Sequence, residues 1–239
     1  MSHPSWEEHA QWWQDGFTDG VDPEYVEQIE PLIVEELAGA TRVLDIGTGE
    51  GQLARHLHHH GVHAVVGVDP SHAQIETARA RAGGPRYARS EAAALPFASG
   101  SFDAVLACLV FEHIVEVDAA IAEVARVLAP GGVFLFLLNH PILQAPGSGW
   151  VDDHILEEQY WRIGPYLVES IDDEEIAPGI VLPFIHRPIS RYVNTLVAHG
   201  LLVEGMREPA PPPGFLARAA EYAEAAAYPR LLTLRARRH

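Results

Sequence analysis

The sequence predicts a doubly wound α/β fold, and three observations carry the prediction. The first is RVLDIGTGEGQ, residues 42–52. Val43, Leu44 and Ile46 form a short apolar run that fits a buried parallel strand. Asp45 interrupts the run, Gly47, Gly49 and Gly51 follow at every second position, and a helical stretch bearing Leu53, Ala54 and Leu57 comes next. The second is that strand-like and helix-like stretches keep alternating as far as residue 138, the pattern of a mostly parallel sheet. The third is that carboxylates close the second and third strand-like stretches, Asp69 after AVVGV and Glu91 after RYARS. Ligands of such folds sit outside the carboxyl ends of the strands.

The elements follow in order. Ser5 and Glu8 have the spacing of a capping box. The helix they open, residues 6–14, carries Trp6, Ala10 and Trp13 on one face, with Trp12 beside them. Residues 15–22 are turn-rich. Asp22 caps a second helix, with Pro23 in its first turn. Tyr25, Ile29, Leu32, Ile33 and Leu37 form its buried face, and Pro31 is placed to kink it. After the glycines come a helix over 52–60 and a strand over 64–68 closed by Asp69 and Pro70. Ser71 caps a helix running to about residue 82. Residues 86–89 form the third strand. Residues 104–109, a continuous apolar run, form a fourth strand buried on both faces. A helix over 117–128 is stopped by Ala129-Pro130-Gly131-Gly132, and residues 133–138 form the fifth strand.

From 142 to 187 the alternation stops. The segment is rich in acids and in aromatic and histidine side chains: Trp150, His154, Tyr160, Trp161, Tyr166 and Phe184. Loops of this length inside a compact domain are usually lids or binding segments, so a substrate cap is expected here, with the acidic run 172–175 as a solvated turn. Then come a helix over 189–199 ended by Gly200, a strand over 201–208, the proline stretch 209–214, an alanine-rich helix over 215–227 and a seventh strand over 231–237. The expected organisation of residues 1–239 is one domain: N-terminal helices (1–40), a cofactor-binding half (41–141), the cap (142–187), and C-terminal helices and strands (188–239).

A glycine turn invites a dinucleotide reading, yet the loop reads G-T-G-E-G-Q, with Gln52 where the third glycine of G-x-G-x-x-G belongs. Asp45 before the turn suits a cation or its bound water. Residues 90–103, SEAAALPFASGSFD, and residues 126–134, RVLAPGGVF, add two further stations. Together these stretches resemble the class I S-adenosylmethionine-dependent methyltransferases of the small-molecule type. The resemblance implies a Rossmann-like, seven-stranded, mostly parallel sheet whose last strand is antiparallel and sits beside the fifth. It implies S-adenosyl-L-methionine as cofactor and S-adenosyl-L-homocysteine as product. Asp45, Gly47, Thr48, Gly49, Gly51 and Gln52 would curve under the cofactor's amino acid portion. Asp69, followed by Pro70, would accept from the ribose hydroxyls. Glu91, where the family more often has aspartate, would accept from the adenine amino group, and the Ala92 N–H would meet a ring nitrogen. Backbone at Cys108 and Leu109 would meet the methionine amine, under an N-terminal extension bearing Trp13, Phe17 and Tyr25. Each of these aromatics has a plain alternative, packing on the sheet edge.

The implied chemistry is in-line methyl transfer to a small-molecule acceptor, at a hydroxyl or carboxyl oxygen, with an optional histidine base. His113, His140 and His186 are the candidates for that base, with His154 also near the expected mouth. Phe17, Tyr25, Trp150, His154, Tyr160, Trp161, Tyr166 and Phe184 are the candidate substrate pocket. Nitrogen or carbon methylation, a nicotinamide-dependent oxidoreductase and a non-catalytic cofactor-binding protein are the alternatives.

Composition narrows the partners. The 239 residues are 48% hydrophobic and 21% charged, with a formal net charge of −17. Phosphate backbones are bound by lysine and arginine, so nucleic acid is an unfavoured partner, as is an anionic membrane. No N/D-P-P-Y/F/W tetrapeptide of the nucleic acid amino-methylating type follows the fourth strand. Cys108 is the single cysteine, so no intramolecular disulfide forms. The start lacks a basic region followed by an apolar core, and the longest apolar stretch, residues 104–111, is far short of the ~20 a membrane span needs. A cytoplasmic monomer or homodimer without a metal is expected. The histidines at 56, 58, 59, 60 and 63 have no carboxylate or cysteine nearby in sequence to complete a ligand set.

Overall fold

The structure is a computed structural model that describes residues 4–219 and 224–239. Seven strands form one sheet: β1 (Arg42–Ile46), β2 (Ala64–Asp69), β3 (Arg86–Arg89), β4 (Phe102–Cys108), β5 (Leu128–Asn139), β10 (Leu201–Arg207) and β11 (Leu231–Arg238). Their order is β10-β11-β5-β4-β1-β2-β3, and β11 alone runs antiparallel, between β10 and β5. The strand order reverses beside β1, which pairs with β2 on one side and β4 on the other.

Period-two alternation sorts the sheet residues onto two cores. Leu44, Ile46, Val105, Ala107, Phe134 and Phe136 pack with α6 (Val117–Val127) and α8 (Ile189–Ala198), through Ile121, Val124, Tyr192 and Leu196. Val43, Leu106, Cys108, Leu135 and Leu137 pack on the other face with α3 (Glu30–Glu36) and α4 (Gln52–His59), through Ile33, Leu53 and Leu57. Burial on both faces is why β4 and β5 read as unbroken apolar runs. The helix α5 (His72–Arg81) is capped by Ser71, whose Oγ accepts from the Gln74 N–H at 3.2 Å.

At the N-terminus the first helix is two, α1 (Pro4–Glu8) and α2 (Ala10–Phe17), broken at His9; the Ser5 side chain of the expected capping box lies outside the described residues. The second contains a π-helical turn, Tyr25–Ile29, in which the Glu30 N–H donates to Tyr25 O. Pro31 accounts for it: with no N–H to give the carbonyl four residues back, the chain takes the wider turn. The alanine-rich C-terminal segment starts earlier than expected, as α9 (Pro213–Arg218), and Ala225–Ala227 is a single 3₁₀ turn. Residues 220–223 of that expected helix lie outside the described residues.

The segment expected to be an irregular cap is ordered differently. A short helix, α7 (Pro141–Gln144), leads into two antiparallel hairpins, β6 (Gly149–Asp153) with β7 (Glu158–Arg162), and β8 (Ser170–Ala177) with β9 (Ile180–His186). The acidic run is not a turn but the middle of β8, where Asp172 faces Phe184 and Glu174 faces Leu182 across the ladder. The turn is Pro178-Gly179, with Gly179 at φ +77°. No described helix is long and apolar enough to cross a membrane.

Candidate active site

A cavity of about 490 Å³ opens at the carboxyl ends of β1, β2 and β4, where the strand order reverses. Its floor is the glycine turn. Gly47 (φ +69°) and Gly51 (φ +86°) have backbones that favour glycine, and their surroundings leave no room for a Cβ. One at Gly47 would lie 2.3 Å from Val110 Cγ2, and one at Gly51 2.4 Å from Tyr87 Oη. At Gly49 the nearest neighbour of a Cβ would be Trp13 Nε1, at 3.9 Å, so the turn faces open space there.

Two buried acids organise this floor. Asp45 accepts a hydrogen bond from Thr48 Oγ1 at 2.6 Å. Asp69 accepts from the Gly49 N–H at 3.0 Å and from the Ser71 N–H at 2.8 Å, so one carboxylate ties the glycine turn to the start of α5. Burial is the leading cause that pushes both upward, Asp45 to about 7 and Asp69 to about 6, against an ordinary value of 3.8. The negative charge of Asp69 adds to the rise at Asp45.

The roof comes from the N-terminal helices. Glu7 accepts from the backbone N–H groups of His72 (2.7 Å) and Ala73 (3.2 Å), which fastens α1 to the first turn of α5. Trp13 stacks on Phe17 with centroids 4.3 Å apart and meets Trp6 edge-on at 5.7 Å. Trp6 and Phe184 both pack edge-on against the His113 ring, at 4.8 and 4.5 Å. His113 sits in a 3₁₀ turn, Phe111–His113, just past β4. Its Nδ1 lies 2.8 Å from Pro183 O; a carbonyl only accepts, so Nδ1 carries the proton and Nε2 the lone pair. Burial pushes this imidazole down to about 4, so it is neutral at ordinary pH.

Of the residues proposed from sequence, Trp13, Tyr25, Asp45, Gly47, Thr48, Gly49, Gln52, Asp69, Pro70, Glu91, Ala92, Cys108, Leu109 and His113 line this one cavity. Gly51 underlies it as the left-handed residue before α4. Phe17 stands behind Trp13, and Phe184 behind His113.

Others are placed elsewhere. His140 has both ring nitrogens committed: Nδ1 accepts from the Ile142 N–H at 3.2 Å and Nε2 donates to Glu208 at 2.7 Å, so it caps α7 away from the cavity. His186 is buried, with Nε2 2.7 Å from Tyr166 O. Trp150 packs edge-on against Trp161 (5.6 Å) and Tyr228 (5.2 Å), so the β6–β7 aromatics cover one another rather than the site. Tyr166 accepts through its hydroxyl from the Ile189 N–H at 2.9 Å, and His154 and Tyr160 are exposed on the hairpin. The hairpins therefore brace the site from outside and give it only the backing of Phe184 and the Pro183 carbonyl.

Sequence reasoning missed Trp6, Glu7, Glu8, Gln74 and Glu116 as lining residues. Trp6, seven residues before Trp13 on a helical face, carried a usable signal. Arg89 is the one arginine or lysine among the described lining residues, against the carboxylates of Glu7, Glu8, Asp45, Glu50, Asp69, Glu91 and Glu116. Glu50 Oε2 pairs with Arg55 (2.5 Å) and Arg81 (2.9 Å). An open glycine turn, a buried acid at its head and acids after the second and third strands fit a nucleoside joined to a cationic amino acid. S-adenosylmethionine is a molecule of that kind.

Comparison with known proteins agrees. A family profile described as a methyltransferase domain matches residues 44–136. The crystal structure of an S-adenosylmethionine-dependent methyltransferase from Mesorhizobium loti is 30% identical, with a TM-score of 0.77 over 91% of this chain and 98% of that one. Among curated proteins, a demethylmenaquinone methyltransferase of Thermus thermophilus is 39% identical over 101 residues, 40% of this chain and 46% of that protein. A malonyl-[acyl-carrier protein] O-methyltransferase of Geobacter sulfurreducens is 34% identical over 122 residues, 49% of this chain and 46% of that protein. The chain thus spans a little under half the length of the curated relatives it matches. On its fold, its cavity and the match to the Mesorhizobium enzyme over 91% of this chain, the chain belongs to the class I S-adenosylmethionine-dependent methyltransferase family.

Proposed function

We propose that this protein transfers the methyl group of S-adenosylmethionine to an oxygen of a small-molecule acceptor, and that His113 is the base. The observation that carries this reading is one cavity lined by Asp69, Glu91, the glycine turn and His113, whose Nδ1 is engaged by the Pro183 carbonyl. When bound, S-adenosylmethionine supplies an electrophilic methyl on a sulfonium. The protein's part is to hold and align. Asp69 would accept from the ribose hydroxyls, Glu91 and the Ala92 N–H would take the adenine edge, and Asp45 would face the methionine end. Trp6, Trp13 and Tyr25 keep that end apolar and exclude water. His113 Nε2 would take the acceptor's proton, and its burial beside two aromatic rings keeps that nitrogen free of a proton beforehand. Alignment of this kind can supply ~7–11 kcal/mol.

A hydroxyl fits better than a carboxyl. A carboxylate arrives charged, has no proton to give His113, and would enter among Glu7, Glu8 and Glu116, with Arg89 the one guanidinium among the described lining residues. The relatives are named for acceptors as unlike as demethylmenaquinone and malonyl-[acyl-carrier protein]. Likeness in the cofactor half therefore does not choose the acceptor.

The test is a thermal shift series with S-adenosylhomocysteine, S-adenosylmethionine, NAD and NADP, followed by labelled methyl transfer to a panel of phenols, alcohols and amines. Stabilisation by the two adenosyl compounds is expected; at 100 times the dissociation constant it amounts to ~2.7 kcal/mol. Stabilisation by NAD or NADP alone would replace this reading with a nicotinamide enzyme. Cofactor binding without transfer to any acceptor class would leave a binding protein.

The raised acids add a pH dependence. Asp45 and Asp69 titrate at about 7 and about 6 in the folded protein, above their ordinary 3.8, so the folded state holds more protons than the unfolded one between about 4 and 7. The unliganded protein thus loses stability from these two groups as pH rises through that window. A ligand that needs the ionised carboxylates is affected in the opposite sense. S-adenosylhomocysteine affinity is expected to rise from pH 5.5 to 8, with protons released on binding near pH 6. Calorimetry in buffers of different ionisation enthalpy measures that release directly; proton uptake would contradict it.

A further inference from the structure

Arg187, at the junction between β9 and α8, is buried and does not line the cavity. Its guanidinium reaches back more than seventy residues in sequence to the turn that bears His113. Nη1 donates to Phe111 O at 3.1 Å; Nη2 donates to Ile114 O at 2.8 Å and to Val115 O at 3.0 Å. Three carbonyls of one short loop thus converge on one planar fork, the geometry for which arginine is suited. The same loop is held from the sheet side. Glu112, also buried, accepts from Asn139 through the backbone N–H (3.2 Å) and Nδ2 (2.8 Å). Four residues before Arg187, Pro183 gives its carbonyl to His113 Nδ1, and Phe184 packs on the ring. One stretch of chain, 183–187, therefore fixes both the backbone of the turn and the tautomer of the imidazole on it.

We propose that Arg187 is a positioning residue for His113: it fixes the carbonyls of Phe111, Ile114 and Val115 so that the ring meets the Pro183 carbonyl and offers Nε2 to the cavity. The proposal rests on the reading of His113 as the proton acceptor. A histidine on a loose turn would hydrate, share its proton between both nitrogens and titrate near its ordinary ~6.5. The neighbouring elements carry charged groups: Glu7 and Glu8 on α1, Glu112 and Glu116 close to His113 in the chain, Asp172 and Glu174 on β8, and Arg187 with Glu169 3.9 Å from its Nε. Burial lowers the ring's pKa and outweighs the opposing hydrogen bond to Pro183, which is why displacing the ring should be visible in its titration.

The experiment is NMR of the histidine rings in the full-length protein with S-adenosylhomocysteine, for wild type, Arg187→Met and Arg187→Lys. The His113 signal is assigned by its absence in His113→Gln. In wild type it is expected to remain one neutral tautomer, protonated at Nδ1, down to about pH 5. In Arg187→Met the tautomers should mix and the titration move up towards ~6.5, while the dissociation constant of S-adenosylhomocysteine stays within about twofold. Arg187→Lys keeps the charge but reaches fewer carbonyls, and should fall between. It also serves alone if the methionine variant does not fold. A purely architectural arginine would change melting temperature without moving the His113 titration or tautomer, and that result overturns the proposal. Failure of wild type to bind S-adenosylhomocysteine would instead overturn the methyl-transfer reading, since the ring measurement can be made without ligand.

Discussion

Asp69→Ala is expected to weaken S-adenosylhomocysteine by about 10²–10³-fold. In the unliganded protein Asp69 already accepts two backbone hydrogen bonds, from Gly49 and from Ser71. Each such bond to a charged group contributes ~1.5–3 kcal/mol, and the first ties down the turn on which the cofactor would lie. Removing the carboxylate deletes the proposed ribose acceptor and also frees the Gly49 N–H and its turn. Losses of ~3–4 kcal/mol correspond to the stated change in affinity. Asp69→Asn keeps the volume and one accepting oxygen, so a loss nearer ~10-fold is expected. Titration calorimetry gives both constants, and circular dichroism checks that the sheet is intact. An alanine variant that folds and binds as wild type does would remove Asp69 from the cofactor site.

The reach of the sequence can be judged from such residues. Around β1, β2 and β4 each local signal has a local cause. Apolar runs mark strands buried on both faces, glycines mark backbones that need positive φ, and acids mark the open ends of strands. The hairpins gave no such signal. A two-stranded ladder with one half-wet face places acids and apolar residues on the same side, as Asp172 opposite Phe184 does, so the period of two is disguised. His140 misled because it follows β5 directly. Its neighbour Asn139 pairs with Leu231, the last strand covers that edge, and the histidine turns towards Arg230 and Glu208 instead. Arg187 was invisible for a different reason: its partners are carbonyls that any sequence would supply, brought to it by tertiary folding alone.

Replacing His113 should separate chemistry from binding. His113→Gln removes the only cavity-lining imidazole among the described residues and leaves a side chain that cannot take a proton near neutral pH. If a hydroxyl acceptor gives up its proton as the methyl arrives, kcat falls by about 10²–10⁴-fold, the usual contribution of a positioned base. The S-adenosylhomocysteine constant should remain within about twofold, because in the proposed reading His113 meets the acceptor and not the cofactor. Wild-type kcat should be flat from pH 6 to 8 as far as this group is concerned, since its conjugate acid forms only near pH 4. Packing sets a second, smaller effect. The ring fills the space between Trp6 and Phe184, so His113→Ala would open a gap and also raise the KM of the acceptor, which glutamine, closer in size, should largely avoid. A glutamine variant that keeps full turnover at every pH would mean that alignment alone drives the transfer, and His113 would then be part of the aromatic wall.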